Sequence, residues 1–402
     1  MLDISYKDYR KKKDIHGTVL YPAVMIAPMQ KDVLHKYIDK NEYTKIIDPF
    51  HGSGTSLYEA FEVSQNINIV GCDINPLANL ITKVKLQGVD LNIDDDIDKI
   101  KQKLISSNTE KKHYFQNIEK WFREDIRITL SAIKYNIEDI ETKKNRLFFW
   151  CMFCDIIRKY SNTRSSTYKL HIKNQENIDK MNNSAIEDFI KSIEENSSKY
   201  KKCFTPFELI KGNSLTELKK FNSNEFDICI TSPPYGDNHT TVTYGQFSML
   251  PLFWINENDL EFEGWEFKNY STIDSHSLGG NSQKDCRIAH DLKIIKPYLE
   301  KISEKKQKKV IRFFNEYFIS LEEICRITKT YVIMTLGNRT VDGERIELTK
   351  ITKEFMETNG FIQIESHERE IVSKRMPRKI YTKENGTITS MNKEHLIIMK
   401  KN

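Results

Sequence analysis

The sequence predicts an α/β protein, a doubly wound, Rossmann-like sheet of seven mainly parallel strands carrying a largely helical insertion. Three observations lead there. Short apolar runs rich in β-branched residues alternate with helical patterns near both ends of the chain, which makes a parallel sheet with helices on its faces. The first of these runs ends in a glycine-rich turn directly before a helix, the position at which such sheets bind ligands. The alternation stops after Gly88 and resumes at Pro206, so the intervening residues read as an insertion.

Taken in order, Thr44–Asp48 is a short buried strand that ends in Pro49 and a glycine cluster, and Ser56–Glu62 is the helix behind it. Ile67–Cys72 is a second buried strand closed by Asp73, with Pro76 near the start of the next helix. Residues 89–205 are charged and largely helical. Pro206–Gly212 resumes as a strand, Leu215–Phe221 as a helix, and Phe226–Thr231 as a strand that runs into Ser232-Pro-Pro-Tyr235. A second, irregular insertion covers 256–295. Lys309–Thr328 is a long amphipathic helix, Tyr331–Leu336 a strand, Leu348–Asn359 a helix, Phe361–Ser366 a strand and His395–Lys400 the last strand. Residues 1–88 and 206–402 thus form one catalytic domain, with 89–205 and 256–295 inserted into it.

Composition narrows the class. Hydrophobic residues make up 39% and charged residues 30% of 402, enough for a sizeable core. The first residues are polar and charged, and no run reaches the ~20 apolar residues of a membrane span, so the expectation is a soluble intracellular, cytoplasmic protein. Seven scattered cysteines argue against a disulfide framework. Cys151 and Cys154 alone have metal-like spacing, but they sit in an apolar helical run with no second pair, and no metal is expected.

The chemistry gathers at strand ends. The turn Asp48-Pro-Phe-His-Gly-Ser-Gly-Thr55 lets backbone approach a ligand closely. It lacks the Lys of a phosphate-cradling loop and the full glycine set of dinucleotide sites, which favours a cofactor without phosphates. Asp73 follows about twenty residues later, where a carboxylate binds both hydroxyls of a ribose; a helix cap is its alternative role. Asn213, after the third strand, either meets an adenine edge or caps the next helix. Ser232-Pro233-Pro234-Tyr235 is the most informative stretch. Its tandem prolines fix φ and stiffen the carbonyls of Ser232 and Pro233 at the end of a buried strand. A base amino group delocalises its lone pair into the ring. Acceptors that hold both N–H bonds favour pyramidalisation and expose that lone pair to a methyl donor, while Tyr235 offers a face on which a flipped base stacks.

The net charge of +5 does not itself name a partner, but its distribution does more. No carboxylate occurs from Ile156 to Gln175, where Arg158, Lys159, Arg164, Lys169 and Lys173 mingle with tyrosines and hydroxyl residues. A second basic stretch near the C-terminus holds Lys374, Arg375, Arg378 and Lys379. Cations, hydroxyl donors and aromatic faces together suit a nucleic-acid surface; a solvated basic loop is the alternative for each.

These residues resemble the amino-methylating DNA methyltransferases of restriction–modification systems, which act on N6 of adenine or N4 of cytosine with S-adenosylmethionine. Asp48-Pro-Phe-x-Gly-Ser-Gly-Thr55 is similar to that family's cofactor motif, and Thr231-Ser-Pro-Pro-Tyr235 to its catalytic motif in the serine form associated with N4-cytosine. Tyr21-Pro22-Ala-x-Met25 with Pro28 resembles the motif that helps hold the methionine end of the cofactor, and the tail Ser390–His395 also resembles these enzymes. The resemblance implies a class I methyltransferase fold, with Asp48 and Phe50 lining the cofactor pocket and Gly52, Ser53, Gly54 and Thr55 under the methionine moiety. It further implies Asp73 on the ribose, a catalytic set of Ser232, Pro233, Pro234 and Tyr235, a double-stranded DNA substrate, and a cognate restriction endonuclease as possible partner. The motif order is similar to the arrangement in which target recognition lies between the two motifs, although the large insertion here precedes the third strand.

Three competing readings follow from the same residues. An adenine-N6 or RNA amino methyltransferase fits the acceptor cluster equally, and Asp or Asn in place of Ser232 would have pointed to adenine. A nucleic-acid-binding protein that has lost catalysis is opposed by the intact glycines, Asp73 and Ser-Pro-Pro-Tyr. A C5-cytosine enzyme needs a cysteine nucleophile, typically after proline, and the chain has no Pro-Cys dipeptide.

Overall fold

Period-two alternation in the strands separates the core into two apolar clusters, one on each face of a single sheet. The computed structural model describes residues 6–106, 111–236, 242–261, 270–280, 289–370, 379–382, 386–389 and 393–402. Its main sheet has seven strands: β1 (Thr44–Asp48), β2 (Ile67–Asp73), β3 (Phe207–Lys211), β4 (Phe226–Thr231), β5 (Thr328–Gly337), β6 (Phe361–Glu370) and β7 (Lys393–Lys401). They run in the order β3-β2-β1-β4-β5-β7-β6. Pairing is parallel from β3 through β5, and β7 is antiparallel to both of its neighbours. This is the Rossmann-like class I arrangement that the alternation predicts. Ile46, Ile69, Ile228 and Ile333 enter one cluster, while their neighbours Ile47, Val70, Cys229 and Val332 enter the other.

The helices cover both faces. On the first lie α1 (Ala27–Tyr37), α2 (Thr55–Val63) and α3 (Pro76–Gln87), and then the inserted helices α4 (Ile93–Ser106), α5 (Glu124–Glu138), α6 (Lys143–Tyr160) and α7 (Ala185–Ser197). Phe148, Phe149, Trp150 and Phe153 of α6 share the cluster that contains Ile46 and Ile69, so the inserted region builds directly on the sheet's covering helices. Its two ends meet. The Val89 N–H donates to the Tyr200 carbonyl at 2.9 Å and the Phe204 N–H to the Leu86 carbonyl at 2.8 Å. The chain therefore leaves and returns at one place, and the strand–helix alternation resumes undisturbed.

After β4 come α8 (Tyr244–Trp254) and then, on the second face, α9 (Glu304–Ile327) and α10 (Leu348–Thr358). α9 starts five positions before the expected Lys309, after Ser303. The expected helix over Leu215–Phe221 is instead one α-turn, Ser214–Glu217, followed by a 3-10 turn over Leu218–Lys220. Within 256–295 the described residues form short helices, Glu257–Leu260 and Ile273–His276, and the start of Ala289–Leu299. Cys151 and Cys154 are buried on α6, and the described residues contain no cluster able to hold a metal ion. Among the described residues no helix is long and apolar enough to cross a membrane.

Candidate active site

The strand order reverses at β1, with β2 on one side and β4 on the other, so the loops leaving their carboxyl ends diverge and open a crevice. An open cleft occupies it, at the position where sheets of this kind bind ligands. Its walls are the Tyr21–Met25 segment, the turn after β1, the end of β2, Gly212–Ser214 after β3, Ser232 and Pro234 after β4, Tyr244, and His276–Leu278.

The turn is tied to the next strand end. The Asp73 carboxylate accepts the Gly52 N–H at 2.9 Å through one oxygen and the Asn75 N–H at 2.7 Å through the other, and it faces the cleft. Gly52 has φ of 51°, in the left-handed region, and a Cβ built there would meet only the Tyr21 ring edge at 3.5 Å. Tyr21 is buried, its hydroxyl accepts from the Asn75 side chain at 3.2 Å, and burial together with the Asp73 charge pushes the phenol well above its ordinary pKa. Pro22, Phe50, Ser53 and Thr55 line the same cleft. Asn213 adopts its capping role, accepting the Leu215 N–H at 3.0 Å, and still borders the cleft.

Two residues of the cofactor motif are not on the cleft wall. Asp48 is fully buried beneath the turn, where it accepts from the Ser56 hydroxyl, from Thr231 Oγ1 at 2.7 Å and from the Phe50 N–H at 3.0 Å. Burial raises its pKa against the lowering effect of those hydrogen bonds. Gly54 also lies off the wall, packed against Thr82 of α3.

Whether S-adenosylmethionine suits this cleft is tested by one orphaned atom. Thr55 Oγ1, in the first turn of α2 and on the cleft wall, is buried with no hydrogen-bond partner. A polar ligand at that place would supply the missing bond. With the open space over Gly52, the Asp73 carboxylate and the apolar surfaces of Phe50 and Leu278, the wall fits a cofactor that has a polar amino-acid end and a nucleoside.

Across the cleft, Ser232 and Pro234 reach the surface while Pro233 is buried between them. Ser232 Oγ is 3.1 Å from the Tyr235 hydroxyl, which in turn donates to the Thr335 carbonyl at 3.4 Å. Either hydroxyl can donate in that pair; when Tyr235 donates to Thr335, Ser232 can donate to Tyr235 and keep its own lone pairs as acceptors. Tyr235 is turned towards the second apolar cluster instead of lining the cleft. Arg339, just after β5, donates to the Gly236 carbonyl and fixes the chain that leaves the tetrapeptide.

The basic stretch separates on inspection. Arg158 is turned inward: its guanidinium donates to the Phe247 carbonyl at 2.8 Å and lies 3.7 Å from that ring's centre, so it supports α8 and is not presented to a phosphate. Lys173 donates to the Ser161 carbonyl at 2.9 Å, and burial lowers its pKa. Lys159 pairs with Asp188. Arg164 and Lys169 remain on a hairpin-like loop held by a Thr163–Ile172 bridge, and among the described residues neither side chain meets a carboxylate. Leu170 of this loop donates its N–H to the Gln246 side chain, and Tyr168 packs on Phe247, which puts the loop beside α8 and the Tyr244 edge of the cleft. Lys374, Arg375 and Arg378 lie outside the described residues; Lys379 opens the strand Lys379–Thr382 of a small hairpin, with its side chain outside them.

Sequence reasoning missed Asn75, Tyr244 and the His276–Leu278 wall. Asn75 was findable, since an Asn before Pro76 at a helix start is a capping signal. Its second bond, to Ser248 at 2.8 Å, joins residues 173 positions apart and has no local signature.

A family model described as D12 class N6 adenine-specific DNA methyltransferase matches residues 31–209. The Type II methyltransferase M.MvaI of Kocuria varians is 30% identical over 431 residues, covering 99% of this chain and 93% of that protein. The Type II methyltransferase M.MjaII of Methanocaldococcus jannaschii is 33% identical over 108 residues, 27% of this chain and 18% of its own. Among solved structures, a SAM-dependent methyltransferase from Methanosarcina mazei aligns with a TM-score of 0.30 at 10% identity, covering 95% of this chain and 98% of that one.

Proposed function

The chain belongs to the Type II DNA methyltransferases, enzymes that use S-adenosylmethionine, and we propose that it methylates N4 of cytosine at a specific site in double-stranded DNA as part of a restriction–modification system with a cognate endonuclease. The observation that carries the choice of base is Ser232 at the end of β4, a short hydroxyl side chain on the wall of the cleft that also holds the glycine turn.

S-adenosylmethionine supplies an electrophilic methyl group on a sulfonium. Transfer to an amine is an in-line displacement, so the protein's part is alignment and stabilisation of positive charge developing on the nitrogen. Neutral acceptors suffice. Ser232 Oγ, donating its proton towards Tyr235, presents lone pairs to one N–H of the target amine, and the Pro233 carbonyl is its natural companion for the other. Tandem prolines hold these oxygens without conformational search. The base must leave the duplex to reach them, at a cost of a few kcal/mol. Asp73 and Thr55 are proposed to receive the ribose and the amino-acid end of the cofactor, and Arg164 and Lys169 to meet phosphates at the cleft's edge.

Adenine N6 is the second reading, favoured by the description of the matching family model. That match ends at residue 209, before the Ser232–Tyr235 tetrapeptide in which the two target bases differ. The test is transfer of labelled methyl to duplex DNA by the wild type and by Ser232→Ala. We expect cofactor affinity within about 3-fold of wild type and a turnover loss of roughly 10- to 100-fold, the worth of one transition-state hydrogen bond. Full activity in the variant would remove Ser232 from the mechanism.

A further inference from the structure

The glycine turn carries its carbonyl groups away from the cleft, and the side chains that receive them stand on α3. Asn79, Thr82 and Lys85 are spaced three apart and share one helix face. They meet three successive residues of the turn. Asn79 Oδ1 is 3.2 Å from His51 Nε2, Thr82 Oγ1 donates to the Gly52 carbonyl at 3.0 Å, and Lys85 Nζ donates to the Ser53 carbonyl at 2.6 Å. All three side chains are buried, and neither Thr82 nor Lys85 reaches the cleft.

A trans peptide points its C=O and N–H in opposite directions. With the Gly52 carbonyl held towards Thr82, the Ser53 N–H is directed away from Thr82, which does not line the cleft, and Ser53 itself does. Among the described residues this N–H donates to no other group, and the unpartnered Thr55 Oγ1 stands on the same wall. Were the peptide reversed, that wall would present carbonyl oxygens, which repel an anion.

A fully buried ammonium is costly unless compensated. Here the compensation runs through His16, whose Nδ1 is 3.4 Å from Lys85 Nζ and whose Nε2 is 2.8 Å from Glu59. Facing an ammonium, Nδ1 accepts, so the imidazole proton sits on Nε2 and donates to Glu59. Burial pushes the Lys85 ammonium down to about 7.

We propose that Lys85 and Thr82 are positioning residues for the cofactor: they hold the Gly52 and Ser53 carbonyls off the cleft so that the turn offers donors to the carboxylate of the methionine moiety. The proposal rests on the reading of the cleft as the S-adenosylmethionine site. Its test is calorimetric titration of wild type, Lys85→Met and Thr82→Val with S-adenosylmethionine and with its decarboxylated form, which lacks only the group in question. We expect each variant to bind S-adenosylmethionine roughly 10- to 100-fold more weakly and the decarboxylated form within about 3-fold of wild type. Turnover at saturating cofactor should stay near wild type. Equal weakening towards both ligands would make the row a structural support only and overturn the proposal, as would unchanged affinity for both. Thr82→Val keeps the shape of the side chain and decides the matter if Lys85→Met does not fold. A wild-type protein that bound neither ligand would instead remove the cofactor reading itself.

Discussion

Gly52 and Gly54 stand two residues apart in one turn, yet a methyl group on each would meet different surroundings. At Gly54 it would come within 2.5 Å of Thr82 Cγ2, whereas at Gly52 it would extend into the cleft with the Tyr21 ring 3.5 Å away. Both have positive φ, so either substitution adds about 1 kcal/mol of backbone strain. The sequence motif does not distinguish them; the surroundings do, because Thr82 lies a whole helix away. Gly52→Ala is therefore expected to weaken S-adenosylmethionine binding by about 10-fold or more with little change in melting temperature. Gly54→Val is expected to lower both, since its side chain must displace α3 or the turn. Calorimetry beside thermal melting checks the pair. A Gly52 variant with wild-type affinity would contradict the placement of the cofactor over this turn.

Among secondary-structure elements, α3, α6 and β3 are joined by one carboxylate. Glu261 meets Lys83 of α3 at 2.8 Å, Lys143 of α6 at 2.5 Å and Lys211 of β3 at 3.1 Å. Burial alone would raise its pKa, but hydrogen bonds from the three lysines outweigh that and hold it at about 2. A carboxylate whose folded pKa lies below its ordinary value of 4.5 adds stability that is complete above 4.5 and is lost as pH falls towards 2. Glu261→Gln should melt lower than wild type at neutral pH, and the gap should narrow as pH falls from about 5 to 3. A gap independent of pH would show that the charge on Glu261 does not bind the three elements. Elements themselves were largely legible in the sequence, because Ile46/Ile47 and Ile69/Val70 announce strands buried on both faces. Arg158 was misread for a physical reason. A cation within an apolar helix looks like a surface charge until the Phe247 ring and carbonyl that receive it are known, and these come from 89 residues downstream. Asp48 was misread likewise, because its partner Thr231 is 183 residues away.

At the scale of the whole molecule, the basic loop that carries Arg164 and Lys169 is placed against α8, whose Tyr244 lines the cleft. Of the five cations in that stretch, Arg158 and Lys173 are turned to backbone carbonyls and Lys159 to Asp188, while Arg164 and Lys169 stand near the Tyr244 edge. Replacing both Arg164 and Lys169 by Ala should weaken DNA binding and reduce the slope of log affinity against log salt by about 2, one for each phosphate that is no longer neutralised. An unchanged slope would identify the loop as ordinary solvated surface. The central claim concerns the atom that receives the methyl group. Its most direct test is to incubate the enzyme with unmodified duplex DNA and S-adenosylmethionine, digest the DNA to nucleosides and resolve them by mass spectrometry. The account predicts N4-methylcytosine as the product. N6-methyladenine as the sole product would contradict the assignment of the base while leaving the acceptor mechanism in place, and 5-methylcytosine would contradict both.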